Sequence, residues 1–181
     1  MNSMEAFVPA EPRTFEQLML PHLDAAYNLA CWLLHDPHDA EDAVQDAFLR
    51  AHRAFDRFRG NDGRAWLLVI VRNTCFSALR KKRREPVAVP FEDELYGSSE
   101  DPAEANALAW QEIKGDLLRR ALERIPAEFR EVIILHEIEG LAYREIAEIV
   151  DIPIGTVMSR LARARRKLQN ELLTLTGKGS L

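Results

Sequence analysis

The chain has 181 residues, of which 47% are hydrophobic and 29% are charged, as in ordinary soluble globular proteins. This length suits one medium domain or two small ones. The formal net charge of -5 argues against a uniformly basic nucleic-acid-binding protein, but the charges are unevenly placed, so local patches matter more than their sum.

Residues 1–14 are predicted to be an N-terminal tail. They contain acidic residues and two prolines, and they lack the basic start and apolar core of a secretory signal. The longest purely apolar run in the chain, Ala65 to Val71, is far too short to cross a membrane. Together these features predict a cytoplasmic protein.

The first structured segment is predicted to be helical, because apolar residues recur every three or four positions from Phe15 to Leu34. Asp36 and Pro37 then form a good start for another helix, which is expected to run to Phe58. Acidic residues in its first turns suit the positive end of a helix dipole.

This second helical segment has two different faces. The buried face is predicted to carry Ala40, Val44, Ala47, Phe48, Ala51, Phe55 and Phe58. The outer face carries Glu41, Asp42, Gln45, Asp46 and Leu49. Helical spacing alone favours an ordinary solvated surface for the outer face, and a protein-docking surface is the alternative.

A polar loop with two glycines, residues 59–64, leads into a segment that is apolar nearly all round, Ala65 to Asn73. This pattern predicts a centrally buried helix, which continues to Leu79 and ends in five consecutive basic residues, 80–84. Cations on both sides of an apolar and aromatic segment suit a nucleic-acid strand, because phosphates bind cations and unstacked bases bind pockets or rings. A basic end that serves only solubility is the alternative.

Residues 85–112 reverse the charge, since they include eight acidic residues, no Lys or Arg, and several Pro, Gly and Ser. This composition predicts a flexible acidic linker. Residues 113–175 are then predicted to form a second small helical domain, with one helix near 108–124 and another from Glu128 to Glu139 that ends at Gly140. Residues 176–181 are a predicted C-terminal tail.

The segment from Leu141 to Leu168 has the pattern of a helix-turn-helix. Apolar residues at helical spacing predict a short helix from Tyr143 to Val150, and turn-forming residues follow it. Thr156 is in position to cap the second helix. That helix carries Arg160, Arg163, Arg165, Arg166 and Lys167 without a nearby acidic residue.

A helix this basic suits phosphate, and its N-terminal half, with Ser159, Arg160 and Arg163, is expected at base edges in the major groove. Arg165, Arg166 and Lys167 are expected nearer the DNA backbone. A solvated charged face is the alternative.

Cys31 and Cys75 lie in helical patterns without CxxC spacing, which predicts two buried thiols. A metal site of Cys31 with His35 and His38 has no evident fourth ligand, so no metal or other cofactor is predicted.

An enzyme is not expected, because the chain lacks HExxH, GxSxG and a phosphate-binding glycine loop.

In this order, the motifs resemble those of the extracytoplasmic function group of bacterial sigma factors, within the sigma-seventy family. The resemblance covers about Phe15 to Leu173. It depends on Asp39 to Phe48, Ala65 to Asn73, Ile125 to Val132, Glu145 to Ala147 and Gly155 to Leu161. It implies an all-α fold in which a sigma-two domain (15–84) and a sigma-four domain (113–175) are joined by the linker.

The resemblance also implies three sites. The acidic outer face of Glu41, Asp42, Gln45, Asp46 and Leu49 is similar to the surface that docks on the clamp coiled coil of core RNA polymerase. The loop at 59–64 and the following helix are similar to the part that melts and reads the minus-ten element and captures one flipped base. The residues concerned are Arg59, Asn61, Asp62, Arg64, Trp66, Arg72, Asn73, Arg80, Lys81, Lys82 and Arg83. Residues similar to the reader of the minus-thirty-five element are Thr156, Ser159, Arg160, Arg163, Arg165 and Arg166.

The implied function is a sigma factor that binds core RNA polymerase, recognises promoter DNA and opens it, with an anti-sigma factor as a further partner. Three positions depart from the family pattern: Val69 replaces a basic residue, Ser77 replaces Asp, and Met158 replaces Lys, which removes one phosphate contact. A sigma mimic that sequesters an anti-sigma factor is the alternative, although it would not need the retained DNA-binding cations. A dimeric regulator would explain the helix-turn-helix but not the tryptophan-containing helix or the acidic face.

Overall fold

The computed structural model describes residues 14–60, 62–84 and 115–177. The whole predicted linker, Asn61 and most of both predicted tails lie outside the described residues. Within the described ranges every regular element is helical, which confirms the predicted all-α fold.

The N-terminal domain contains four α-helices: α1 (Phe15–Met19), α2 (Leu23–Leu34), α3 (Pro37–Ala54) and α4 (Gly63–Lys82). Two short 3-10 helices, Leu20–His22 and Phe55–Arg57, follow α1 and α3. The C-terminal domain contains α5 (115–124), α6 (Ala127–Ile133), α7 (Tyr143–Val150) and α8 (Ile154–Leu175). A π-helical turn, Ile134–Ile138, extends α6.

Helix α3 begins as its sequence predicts. The Asp36 carboxylate accepts a hydrogen bond from the Asp39 amide at 2.9 Å and thereby satisfies one of the unpaired donors of the first turn. The prediction that the helix runs to Phe58 is wrong, because the chain tightens into a 3-10 turn after Ala54. Phe58 then leaves the helix with extended backbone and packs on Trp66, with ring centroids 4.9 Å apart.

Helix α4 starts at a close contact with α1. Asp62 caps it by accepting hydrogen bonds from the amides of Arg64 (3.0 Å) and Ala65 (3.2 Å). A Cβ at Gly63 would lie 2.7 Å from the Leu18 carbonyl oxygen, so only glycine allows the two backbones to approach this closely.

The helix-turn-helix has the predicted first helix, α7, from Tyr143 to Val150. The predicted Thr156 cap of the second helix is wrong, because α8 already begins at Ile154 and includes Thr156 in its first turn. The Pro153 carbonyl accepts hydrogen bonds from the amides of Thr156 (2.8 Å) and Val157 (3.1 Å), so the proline starts the helix and no side-chain cap is needed.

The two domains pack directly against each other, and α4 lies between them. One side of α4 contacts α1, α2 and α3, and another side contacts α7. Leu67, Leu68 and Val71 are fully buried, and the neighbouring apolar residues of the helix are half-buried. This double coverage explains why the segment is apolar nearly all round.

Arg130 joins the domains from a buried position. Within its own domain, its guanidinium donates to the carbonyls of Leu122 (2.9 Å) and Ile125 (3.0 Å). Across the interface it donates to the carbonyls of Trp32 (2.9 Å) and Leu33 (3.2 Å), in the last turn of α2. Carbonyls at a helix end have no partner within the helix, so Arg130 caps α2 from the other domain.

His35 lies beside the Arg130 guanidinium and contacts it through Nε2. Burial, reinforced by the positive charges of Arg130 and Arg119, lowers the pKa of His35 from 6.5 to about 4. The interface therefore holds the imidazole neutral at pH 7.

The thiols differ in exposure. Cys75 is buried, and this burial raises the pKa of its thiol to about 12. Cys31 is only partly buried, so the prediction of two buried thiols holds for Cys75 alone.

Among the described helices, none combines the length and the apolar character needed to cross a bilayer.

Replacing Arg130 by Met should destabilise the fold, because the carbonyls that it caps at both sides of the interface lose their donor. We expect a loss of about 2–4 kcal/mol in the free energy of unfolding, measured by urea denaturation. Arg120→Met is the control, since Arg120 is exposed and should change stability by less than about 0.5 kcal/mol. Equal stability of the two variants would contradict the capping role.

The His35 environment should make stability depend on pH. Because the pKa of His35 is about 4 in the folded chain and 6.5 ordinarily, the unfolded chain takes up the proton first. The stabilisation is therefore present above pH 6.5 and is lost as the pH falls towards 4. In urea denaturation at several pH values, wild type should lose more stability over this window than His35→Gln, and parallel curves would contradict the assignment.

Candidate nucleic-acid and polymerase interface

The acidic outer face of α3 lies at the protein surface. Its members Glu41, Asp42, Gln45 and Leu49 are exposed, and Asp46 is half-exposed. On the opposite side of the helix, buried residues are mostly alanines, namely Ala40, Ala43, Ala47 and Ala51 with Val44, and these small side chains seat α3 closely on its neighbours.

A shallow groove runs between this acidic face and the end of α4. Asp42 and Asp46 lie on its α3 side, and Ser77 and Lys81 lie on its α4 side. Asp46 also forms an ion pair with Arg50 at 2.8 Å. The face therefore offers exposed carboxylates next to one exposed leucine, Leu49, which suits a partner that is basic and partly apolar.

The loop before α4 uses its polar groups locally. Asp62 is occupied by capping α4, and the Arg59 guanidinium donates to the Phe58 carbonyl at 3.2 Å. Asn61, the other predicted loop contact, lies outside the described residues. Trp66 is half-buried against Phe58. This part of the surface therefore presents aromatic side chains beside the exposed guanidinium of Arg59.

Two predicted DNA contacts of α4 face the other domain instead of solvent. Arg64 forms an ion pair with Glu139 at 2.7 Å and also donates to the Glu139 carbonyl at 2.8 Å. Asn28 donates to the same carboxylate at 3.2 Å. Arg72 forms an ion pair with Glu131 at 2.6 Å and lies over the Phe76 ring.

Glu131 connects α4 and α8. Its side chain is 0% exposed, and its carboxylate accepts hydrogen bonds from Arg72 of α4 (2.6 Å) and Arg160 of α8 (3.3 Å). Burial raises the pKa of Glu131, while the two guanidiniums act in the opposite direction. Arg72 and Arg160 therefore share one buried anion.

The basic end of α4 is exposed, as its sequence predicts. Arg80 donates to the Ser77 hydroxyl at 2.9 Å, and Lys82 forms an ion pair with Asp39 of α3. Lys81 and Arg83 are exposed beside them, as is Asn73 two turns earlier. These side chains gather cations next to the acidic groove, at one end of the N-terminal domain.

Helix α8 separates its predicted contacts into two groups. Ser159, Arg163 and Arg166 are exposed on its outer side, and the two arginines have no hydrogen bond or ion pair with any described residue. Arg160 points inward to Glu131 and is only 23% exposed, and Arg165 pairs with Glu137 at 2.6 Å. The structure thus brings Ser159, Arg163 and Arg166 together and leaves Arg160 outside this group.

Sequence reasoning missed the carboxylates Glu131 and Glu139 and the guanidinium of Arg130. A local signal for Arg130 and Glu131 was present, because two charged residues interrupt an otherwise apolar stretch of a helix, and buried charges need partners. The identity of the partners, several of which come from the other domain, was not contained in that local pattern.

Two family descriptions match the chain. Residues 18–85 match Sigma-70 region 2, and residues 115–168 match Sigma-70, region 4. The first match covers α2 to α4 with the acidic face and the basic helix end. The second covers α5 to α7 and most of α8.

Known relatives agree with these matches. The chain is 37% identical over 144 residues to the ECF RNA polymerase sigma-E factor of Escherichia coli, a match that covers 76% of this chain and 75% of that protein. It is 33% identical over 159 residues to the ECF RNA polymerase sigma factor SigE of Mycolicibacterium smegmatis, covering 88% of this chain and 62%, less than two thirds, of that protein.

A solved structure supports the same relationship. The sigma factor RpoE of Bartonella quintana, in complex with the anti-sigma factor NepR, has 33% identity and a TM-score of 0.67, with 88% of this chain and 96% of that chain covered. The two regional matches, these relatives and the helix-turn-helix in its second domain show that the chain belongs to the extracytoplasmic function sigma factors of the sigma-70 family.

Proposed function

We propose that the chain binds core RNA polymerase, recognises two elements of promoter DNA and opens the DNA to initiate transcription. The observation that carries this proposal is the outer side of α8, where Arg163 and Arg166 are exposed and pair with none of the residues that the structure describes. From Ile154 to Asn170 this helix contains no acidic residue, so its surface suits a polyanion.

The acidic face of α3 is proposed to dock on the clamp coiled coil of core polymerase. Glu41, Asp42 and Asp46 would meet cations there, Gln45 would add a hydrogen bond, and Leu49 would enter an apolar contact at the C-terminal end of the patch. Support comes from the exposure of these side chains and from the match of this segment to Sigma-70 region 2.

Helix α4 and the loop before it are proposed to read the minus-ten element. Arg59, Arg64 and Arg72 would bind backbone phosphates of the opened strand, Trp66 would stack on bases, and Asn61, Asp62 and Asn73 would line a pocket for a flipped base. Arg80, Lys81, Lys82 and Arg83 would hold the neighbouring duplex through its phosphates.

Helix α8 is proposed to read the minus-thirty-five element. Ser159 and Arg163 lie near its N-terminal half, where recognition helices reach base edges, and Thr156, Arg165 and Arg166 lie where backbone contacts are made. A base contact by Arg160 requires that its ion pair with Glu131 first be broken.

Promoter binding requires the two domains to separate. The two elements lie about 25 base pairs apart, which is about 85 Å of duplex at about 3.4 Å per base pair. In the packed chain, however, α4 and α8 are joined through the single carboxylate of Glu131. The packed arrangement cannot span both elements, so it must be a state from which the chain opens on the polymerase.

An anti-sigma factor is proposed as a further partner, since the similar RpoE structure holds the anti-sigma factor NepR. Such a protein would act by binding the packed arrangement better than the open one, because a ligand shifts an equilibrium only through that difference. The sigma-mimic alternative would need this partner alone and leaves the exposed Arg163 and Arg166 without a role.

Transcription in vitro with core polymerase and a pool of promoter fragments tests the proposal. The chain should direct initiation from specific starts that share an upstream and a downstream element. Initiation indistinguishable from core polymerase alone would contradict the sigma-factor function and would favour the mimic.

Charge reversal on α3 should weaken core binding. The double variant Asp42→Lys, Asp46→Lys would place two cations opposite a basic docking surface. Because like charges repel there, we expect the dissociation constant for core polymerase to rise about tenfold or more. The matched control is Asp24→Lys with Asp56→Lys, which changes net charge equally at exposed positions outside this face. If both double variants bind core polymerase alike, the docking assignment is wrong.

The two groups of cations should affect different quantities. Arg163→Ala should relax base discrimination at the upstream element by about 1–3 kcal/mol, the range for a bidentate base contact. The triple change Lys81→Ala, Lys82→Ala and Arg83→Ala should weaken binding to all promoters and flatten its salt dependence, because phosphate contacts release counterions without reading bases. Holoenzyme affinities across promoter variants and salt concentrations measure both effects, and equal effects from both variants would contradict the division.

A further inference from the structure

The outer side of α8 is unusual in its first turns because it carries no available cation. Its exposed residues there are Ile154, Gly155, Met158, Ser159 and Ala162, while Arg160 is turned inward to Glu131. Met158, which is 53% exposed, is the longest side chain of this group, and Ile154 is the other large one. The part of the helix that should lie deepest in a groove is therefore small and apolar.

We propose that Met158 is a specificity-determining residue that contacts the C5 methyl groups of thymines in the upstream promoter element. This inference rests on the proposed function, in which α8 lies in the major groove. It adds that the N-terminal part of α8 reads the upstream element by apolar contact, in addition to any hydrogen bond that Arg163 or Ser159 makes.

The position of Met158 supports this role. It is the fifth residue of α8, within the turns whose side chains reach base edges when a recognition helix lies in the major groove. Gly155, Ser159 and Ala162 surround it, and a Cβ at Gly155 would meet nothing within 4 Å. These small residues let the helix backbone come close to the groove floor, where a methionine side chain can span the remaining distance.

The basic turns of α8 that follow Met158 favour DNA over an apolar protein surface as the ligand. Arg163 and Arg166 are exposed farther along α8, and Arg144 is exposed on the preceding helix, where Glu148 and Asp151 line the same groove. An exposed apolar side chain on a helix whose later turns are basic matches the major groove, which has phosphates at its edges. Thymine is the base that presents an apolar group there, its C5 methyl.

The chemistry of methionine suits such a contact. Its thioether chain is unbranched and polarizable, so it can adapt to a methyl group on either strand. Ile154, one turn earlier, is also exposed and lines the groove between α7 and α8, which extends the apolar surface towards the start of the helix.

The test uses the holoenzyme, assembled from the full chain and core polymerase, and an upstream element that the holoenzyme selects from random sequence. Each thymine of that element is replaced in turn by deoxyuridine, which removes only the C5 methyl. At one or two positions this replacement should weaken wild-type binding roughly three- to fivefold, the effect of exposing one methyl group.

Met158→Ala should lose a similar factor on the thymine promoter and should show no further loss on the uracil promoter at those positions. The control is Leu173→Ala, which removes another exposed apolar side chain of α8, about four turns away, and should respond to uracil as wild type does. Such non-additivity between loss of the thymine methyl and truncation of Met158 is the sign of a direct contact.

Three results would overturn the inference: a selected upstream element that contains no thymine, wild-type binding that is indifferent to uracil at every position, or Met158→Ala that still responds to uracil as wild type does. In each of these the holoenzyme has selected an upstream element, so the proposed function stands. If the holoenzyme selects no upstream element, the proposed function and this inference both fail.

Discussion

The packed arrangement of this sigma factor depends on the buried carboxylate of Glu131. Burial of a carboxylate is costly, and the cost is offset only when cations or donors surround it. Here the two cations come from different domains, Arg72 from α4 and Arg160 from α8, so the charge balance is complete only while the domains are in contact. The adjacent Arg130 is also a buried charge with partners in both domains. Its guanidinium donates to backbone carbonyls and caps α2 of the other domain.

This arrangement has a consequence for DNA binding. The groups on α4 that are proposed to bind an opened strand are also the groups that hold the domains together, since Arg64 and Arg72 pair with Glu139 and Glu131. Opening therefore frees these two cations at the same time as it exposes the apolar side of α4 that α7 had covered. Both surfaces need new partners, and core polymerase with promoter DNA can supply them. A ligand with no preference for the open state would not shift the equilibrium.

The sequence predicted local features well, because their causes lie within a few residues. The Asp36 cap, the bounds of α7 and the two faces of α3 follow from side-chain spacing and from the chemistry of helix starts. The family and the two-domain helical fold followed from motif order. Errors arose where a nearby alternative competed: Pro153 started α8 before Thr156 could cap it, and aromatic packing of Phe58 ended α3 early.

Contacts between the domains could not be predicted in this way. The spacing of basic residues on α8 placed Arg160 and Arg163 together, but it contained no information about a buried carboxylate on another helix. For the same reason Arg64 and Arg72 were predicted as DNA contacts without their partners in the C-terminal domain. Long-range pairing of charges is decided by which elements the fold brings together, and periodicity within one helix does not report it.

The central claim is that the chain exchanges a packed state, closed over Glu131, for an open state on promoter DNA. The most direct measurement is the distance between fluorophores at Arg50 of α3 and Gln169 of α8, both exposed, attached through cysteines in a Cys31→Ala background. The free chain should give a short distance, and the holoenzyme on its promoter should give a distance longer by several nanometres, as the about 85 Å between the two elements requires. A short distance that persists in promoter complexes active in transcription would contradict the account.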